Sequence, residues 1–224
     1  MDNKAVVIAS GGIDSTTLIY KLTSKGYSLK TLTFLYGQKH LKESEYAIKT
    51  FEKLSLDYRL VDISGIKDLI SGSALTDSRV EIPEVPETTE HYDTLKTTIV
   101  PNRNSIFLSL AVAYAQQLKY NSVFYGAHHS DRGVYPDCRR EFIESFEHSQ
   151  RLANDNEQFR IIAPFVEMDK AEIVKLGHQL GVPYEDTWSC YKGLELHCGH
   201  CSSCSERKRA FSNSGIKDPT IYKN

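Results

Sequence analysis

The chain carries Ser10-Gly11-Gly12-Ile13-Asp14-Ser15 directly after the apolar run Ala5-Val6-Val7-Ile8-Ala9. Two adjacent glycines between a buried strand and a helix let backbone N–H groups close on an anion. The helix, expected from about Thr16, adds the positive end of its dipole. The hydroxyls of Ser10 and Ser15 can donate to phosphate oxygens, and the Asp14 carboxylate suits a magnesium ion held on them. The pattern lacks the lysine of a Walker loop and the spaced glycines of a dinucleotide fold. A plain strand-to-helix turn also uses glycines in this way. The candidate phosphate cradle comprises Ala9, Ser10, Gly11, Gly12, Ile13, Asp14, Ser15 and Thr16.

A second constellation lies near the other end. Cys190, Cys198, Cys201 and Cys204 form C-x7-C-x2-C-x2-C. The overlapping C-x2-C pairs bring thiolates within reach of one metal, and Cys190 completes a tetrahedral set. Unligated thiols or a redox pair are the alternatives. Zinc and an iron–sulfur cluster both accept four cysteines, so spacing alone does not separate them; one zinc per chain is the expectation. Four thiolates leave no open position, so that zinc would be structural and would fold a segment with little core of its own. His197 and His200 lie between the ligands and are read as supporting or exposed groups. Cys138 stands apart, before Arg139-Arg140. Two arginines can lower a thiol pKa and make a nucleophile, but a small packing residue in a rigid turn is the favoured reading. His40 is assigned no role, and Glu206-Arg207-Lys208-Arg209 reads most simply as a solvated helix face, with a nucleic-acid contact as its rival.

These groups need a scaffold. At 224 residues, 40% of them hydrophobic, the chain suits one domain with a small appendage. The expected division is a nucleotide-binding domain over 1–184, interrupted by an insertion at about 64–98, and a zinc-binding segment over 185–224. A net charge of −2 provides no overall attraction to nucleic acid. No stretch approaches the roughly 18 apolar residues of a membrane span. Met1-Asp2-Asn3-Lys4 leaves no room for a signal peptide, and five cysteines without one point to the reducing cytoplasm.

Apolar strands alternate with segments of helical period. Ala5–Ala9, Leu29–Tyr36, Tyr58–Asp62, Ser122–Gly126 and Arg160–Ala163 read as strands. Leu18, Ile19 and Leu22 give the first helix its stripe, which Gly26 ends. Further helices are expected over Leu41–Leu54, Ile106–Leu118 and from an Asp169 cap to Leu180, with Gly181 as the stop. The alternation predicts an α/β fold: a parallel sheet with helices on both faces, plus the small zinc-stapled C-terminal segment. In such sheets ligands sit beyond the carboxyl ends of the strands. Ser64–Thr98, with Pro83, Pro86 and many acids, breaks the rhythm and reads as a lid or subunit contact.

The hexapeptide Ser10–Ser15 resembles the SGGxDS loop of the PP-loop ATP pyrophosphatases, an adenine nucleotide alpha hydrolase-like fold that cleaves ATP between its α and β phosphates. Three further stretches sharpen the resemblance: Val100-Pro101-Asn102-Arg103-Asn104, Gly126-Ala127-His128-His129-Ser130-Asp131 running into Tyr135-Pro136-Asp137-Cys138-Arg139, and the four cysteines. Together they resemble the 7-cyano-7-deazaguanine synthases from Ser10 to Cys204. Asn102 stands where many members carry glycine, and His128-His129 departs from many members. Asparagine tolerates a left-handed backbone, so the turn should survive.

The resemblance implies an ATP-dependent carbon–nitrogen ligase. It would convert 7-carboxy-7-deazaguanine and ammonia to 7-cyano-7-deazaguanine through an adenylated acid and an adenylated amide, releasing AMP and pyrophosphate. It further implies a cytoplasmic homodimer using ATP, Mg2+ and Zn2+, with no membrane or direct nucleic-acid partner. The implied catalytic set is Asp14, Ser15, Arg103 and Lys170, the last two neutralising phosphate charge. The backbone near Leu32–Tyr36 would bracket adenine. Tyr135, Asp137 and Arg139 form the implied substrate set. Tyr135 would stack on the ring, and Asp137 would accept from the N1–H and amino group of a guanine-like edge. The competing readings are a related enzyme that attaches a deazaguanine to protein in phage defence, a tRNA-modifying PP-loop enzyme, and a zinc-stapled nucleotide sensor.

Overall fold

A computed structural model describes residues 3–85 and 95–223. Five parallel strands form one sheet in the order β3-β2-β1-β4-β5: β1 (Lys4–Ile8), β2 (Ser28–Leu35), β3 (Asp57–Asp62), β4 (Ser122–Phe124) and β5 (Arg160–Ile162). In the ladder Val7 faces Thr31 on one side and Phe124 on the other. Alternation explains why the first strand is apolar throughout. Ala5 and Val7 enter one core and Val6 the other, all with no exposure.

Helices cover both faces, as expected. On one face, α1 (Ile13–Ser24), α2 (Lys42–Lys53), α5 (Lys170–Gln179) and α6 (Ser202–Ser214) contribute Leu18, Phe51, Ile173 and Phe211 to a shared core. On the other, α3 (Arg103–Gln117) and α4 (Arg140–Ala153) contribute Leu108, Val112 and Ile143. Thus α6, at the far end of the sequence, shares a core with β1, while Trp188 and the four cysteines form a cluster of their own. Among the described residues no helix is long and apolar enough to cross a membrane.

Two boundaries and one additional helix differ from the expectation in ways that matter. Helix α1 begins at Ile13 rather than near Thr16, because Gly12 adopts extended angles and caps it, placing Asp14 and Ser15 in its first turn. Helix α3 begins at Arg103, after Asn102 in the left-handed region at φ 54°, the conformation its side chain tolerates. Helix α4 is an element beyond those expected; Phe142, Ile143 and Phe146 form its apolar face against the second core.

The insertion is no loose excursion over its described part. Ile70 and Leu75 pack with Tyr36 and Val100. Pro83 and Val85 bond to the cysteine segment, through Ser202 N–H to Pro83 O at 3.1 Å and Val85 N–H to His200 O at 3.3 Å. Pro86 and the rest of 86–94 lie outside the described residues.

Candidate active site

The cradle closes on itself through Ser15. Its Oγ accepts from the N–H groups of Ser10 and Gly11, both at 3.2 Å, and faces Gly12 O at 3.4 Å. Gly11 has φ 87°, and a Cβ there would lie 2.3 Å from Glu43 O and 2.5 Å from Ala47 N. The first turns of α2 therefore press directly on the loop, which only glycine permits. Trp188 N–H donates to Gly11 O at 2.9 Å and ties the loop to the cysteine segment. Ala9, Ser10, Gly12, Ile13, Asp14 and Ser15 line a cavity of about 680 Å³; Gly11 and Thr16 do not. Thr16 is buried beneath, its N–H donating to Gly12 O.

A charged cluster faces the loop. Asp169 caps α5 with a full capping box shared with Glu172, which sets Lys170 as the first helical residue. Lys170 Nζ reaches Glu206 Oε2 at 2.7 Å and Asp14 Oδ2 at 3.3 Å. Burial works against the Lys170 charge, but the Asp14, Glu206 and Asp131 carboxylates outweigh it and hold its pKa above the ordinary value. His128, 2% exposed, lies 3.6 Å from Asp14 Oδ2 and 3.3 Å from Asp131 Oδ2. Burial raises the Asp131 pKa. Asp14 Oδ1 is buried and has no partner. That orphaned oxygen, facing a phosphate-sized space, fits a hard cation.

The opposite wall comes from β2, α3 and the turn after β4. Phe34 and Phe107 stack at 4.3 Å and 10°, beside Tyr36 and Tyr125. Arg103 and Tyr135 line the cavity, the Tyr135 hydroxyl 2.6 Å from Thr98 Oγ1. Asp137 and Arg139 do not line it. Asp137 Oδ2 accepts from Asn104 N–H at 3.3 Å, at the start of α3, and Arg139 Nε donates to Arg132 O at 2.9 Å. Arg140 turns away to Glu167. Cys138 is buried, and burial with the nearby Asp131 and Asp137 charges pushes its thiol pKa up. It lies in the turn before α4 and also lines the cavity.

The basic run departs from its expected solvated face. Arg207 has no exposure; its guanidinium donates to Thr187 Oγ1, Tyr184 O and Asp218 Oδ1 at 2.8, 2.9 and 3.2 Å. Glu206 enters the cavity against Lys170. Glu43, His128, Asp131, Glu206 and Tyr191 are thus cavity residues to which the motifs give no catalytic or substrate role. The sequence signal for Glu43 was only its place in the first turn of a helix that follows a strand.

All four candidate metal ligands are buried, and their sulfurs lie within 4.8 Å of one another. The N–H groups of Cys198 and Cys201 point at Cys190 Sγ and Cys198 Sγ at 3.4 and 3.3 Å, as suits thiolates. Such a set fits a tetrahedral soft metal. Neither histidine joins it: His197 stacks on Trp188 at 4.1 Å and accepts from Ser189 N–H, and His200 faces Glu84.

Comparison with known proteins agrees with this architecture. Among solved structures, an NMN synthetase from Francisella tularensis superposes with a TM-score of 0.53 at 15% identity, covering 95% of this chain and 77% of that one. An NH3-dependent NAD synthetase from Campylobacter jejuni gives 0.51 at 16% identity, covering 100% and 91%. These establish the fold. In sequence, the chain is 50% identical over 219 residues to a 7-cyano-7-deazaguanine synthase from Caldicellulosiruptor saccharolyticus, covering 98% of this chain and 95% of the relative. It is 49% identical over 218 residues to one from Archaeoglobus fulgidus, covering 97% and 90%. The model of the queuosine biosynthesis protein QueC matches residues 4–215. At that identity and extent, the chain belongs to the QueC family.

Proposed function

We propose that this chain is an ATP-dependent carbon–nitrogen ligase that converts 7-carboxy-7-deazaguanine and ammonia to 7-cyano-7-deazaguanine, releasing AMP and pyrophosphate. The observation that carries the reading is a single cavity joining the Ser10–Ser15 loop, Lys170, Arg103 and Tyr135 in a chain whose full-length relatives bear that enzyme's name. Its volume falls in the range of small-molecule sites.

A carboxylate is a poor electrophile. Its oxygen attacks the α-phosphorus of ATP, pyrophosphate leaves, and the acyl carbon becomes susceptible to ammonia. Displacement of AMP gives a primary amide. Adenylation of the amide oxygen and loss of a second AMP give the nitrile. The protein must hold dense negative charge and keep water from the adenylates. The N–H groups opening α1 and the Ser10 hydroxyl bind the pyrophosphate portion, and Ser15 holds the loop in shape. Lys170 and Arg103 neutralise charge from opposite walls. Asp14 would hold Mg2+ through its unpartnered oxygen, a cation that neutralises phosphate charge. The carboxyl end of β2, near Phe34 and Tyr36, brackets adenine. Tyr135 stacks on the deazapurine, while Asp137, bonded to Asn104, fixes the Arg103 end of α3. Cys190, Cys198, Cys201 and Cys204 would hold a structural Zn2+. The enzyme acts in the cytoplasm as a homodimer, a state that light scattering checks.

The test is incubation with magnesium-ATP, ammonia and 7-carboxy-7-deazaguanine, followed by mass spectrometry. Stoichiometric AMP and the nitrile are expected. Turnover of ATP without amide or nitrile overturns the reading.

A further inference from the structure

Five carboxylates line the cavity: Asp14, Glu43, Asp131, Asp169 and Glu206. Four are engaged. Asp14 and Glu206 meet Lys170, Asp131 meets His128, and Asp169 accepts from Glu172 N–H in its capping box. Glu43 alone has no hydrogen bond or ion pair among the described residues, although Arg103 and Lys170 both act on it electrostatically. Its helix turn abuts the loop, since Glu43 O is what a Gly11 Cβ would strike. A carboxylate held beside a phosphate cradle, between two cations and paired with neither, is placed to receive a proton rather than to bind an anion or a helix end.

We propose that Glu43 accepts the N–H protons released at the reacting carbon in both stages of the reaction. This rests on the function proposed above. In the first stage the lone pair of ammonia forms the C–N bond, and the C–O bond to AMP breaks with its electron pair on the phosphate oxygen. One N–H proton passes to Glu43. In the second stage the O-adenylated amide nitrogen sheds two protons. Glu43 takes them in turn and passes each to solvent. As the second leaves, its electron pair becomes the third C–N bond and AMP departs with the pair of the broken C–O bond. One base serves both stages because both transfer protons from nitrogen on the same carbon.

The surroundings suit repeated protonation near neutrality. Burial raises the Glu43 pKa to about 7, against the Arg103 guanidinium from α3 and the Lys170 ammonium from α5. The Tyr36 and Tyr191 hydroxyls also face it, and the Cys190 thiol contributes least. A base matched to the working pH is the efficient one.

The experiment compares wild type, Glu43→Gln and Glu43→Asp, with melting midpoints confirming that each variant is folded. Three rates are read: ATP–pyrophosphate exchange with the carboxylic acid, amide formation from acid and ammonia, and nitrile formation from the carboxamide supplied directly. For Glu43→Gln, amide and nitrile formation should each fall by about 10²–10⁴-fold, at least tenfold more than exchange falls. Glu43→Asp should recover part of both rates. At a fixed concentration of free ammonia, the wild-type rate of amide formation should rise through neutrality as Glu43 loses its proton and then level off, while Glu43→Gln should show no such step. Product formation within about threefold of wild type in Glu43→Gln overturns the proposal. So does an exchange rate that falls as far as product formation, which would place Glu43 in nucleotide binding. A wild-type protein that forms neither amide nor nitrile overturns the proposed function itself and this inference with it.

Discussion

Lys170 Nζ lies 3.3 Å from Asp14 Oδ2, so the first residue of α5 meets the first turn of α1 across the mouth of the phosphate loop. Both helices direct their positive ends at this point, and Asp14 keeps Lys170 charged there. Replacing Lys170 by Met removes the cation paired with Asp14 and Glu206 and leaves both carboxylates to repel an incoming triphosphate. Pyrophosphate release should fall by about 10²–10³-fold, the scale of losing one preorganised charge donor. A coupled pyrophosphate assay measures it. A loss below tenfold would mean that Arg103 alone carries the neutralisation.

The cysteine segment predicts a metal-linked stability. Cys201 caps α6, donates its N–H to Cys198 Sγ, and bridges to Glu84 of the insertion. Cys201→Ser should therefore lose zinc, lower the melting midpoint by several degrees and loosen the insertion together with α6, because ligand binding and local folding are one equilibrium here. Elemental analysis should give about one zinc per wild-type chain and much less in the variant. Iron with visible absorbance would assign the site to a cluster instead.

What the sequence made legible was local. The apolar run before Gly11, the Asp169 cap, the glycine stop at 181 and the left-handed Asn102 each act within a few residues, and each forms as expected. The parallel sheet followed from alternation alone. What remained hidden were pairings between distant segments. Arg207 sits in a basic run, and charge normally marks a solvated face. It is buried because Tyr184, Thr187 and Asp218 bring acceptors to it from two other segments. Glu206 is drawn inward by Lys170 in the same way. Asp137 reads as a carboxylate for a guanine-like edge, and the turn after β4 also sets it against Asn104 N–H, a contact that no spacing rule encodes.

The buried Arg207 predicts an acid-sensitive brace. Burial works to raise the Asp218 pKa, but the Arg207 guanidinium, the Tyr222 hydroxyl and Thr220 outweigh it and hold the carboxyl below its ordinary 3.8. A depressed carboxyl pKa stabilises the fold fully above the unfolded value and ceases to do so as pH falls through the folded one. Asp218→Asn should thus cost about 1.5–3 kcal/mol at pH 7, the scale of a hydrogen bond to a charged group. The gap to wild type should narrow below the ordinary carboxyl range, where the wild-type side chain protonates as well. Denaturation midpoints at neutral and acid pH measure this. A gap that is constant down to acid pH would show that Asp218 acts by shape alone.

The two loop glycines should respond differently to the same methyl group. Gly12 has ordinary extended angles, and a Cβ there would meet Ser10 Oγ and Trp188 O at 3.6 Å, normal contact distances. Gly11 has φ 87°, and its Cβ would overlap Glu43 O and Ala47 N. Backbone atoms of a helix cannot swing aside as a side-chain tip does. Gly11→Ala must therefore displace α2 from the loop and adopt left-handed angles, which alone cost about 1–2 kcal/mol. It should lower the melting midpoint and abolish both ATP binding and pyrophosphate release. Gly12→Ala should keep the wild-type midpoint within a degree or two while weakening ATP, because the methyl group enters the cavity that Gly12 lines. Calorimetry and nucleotide titration of the two variants side by side separate these outcomes. Equal melting points would show that α2 yields to the loop, so that its contact at Gly11 does not set the cradle's shape.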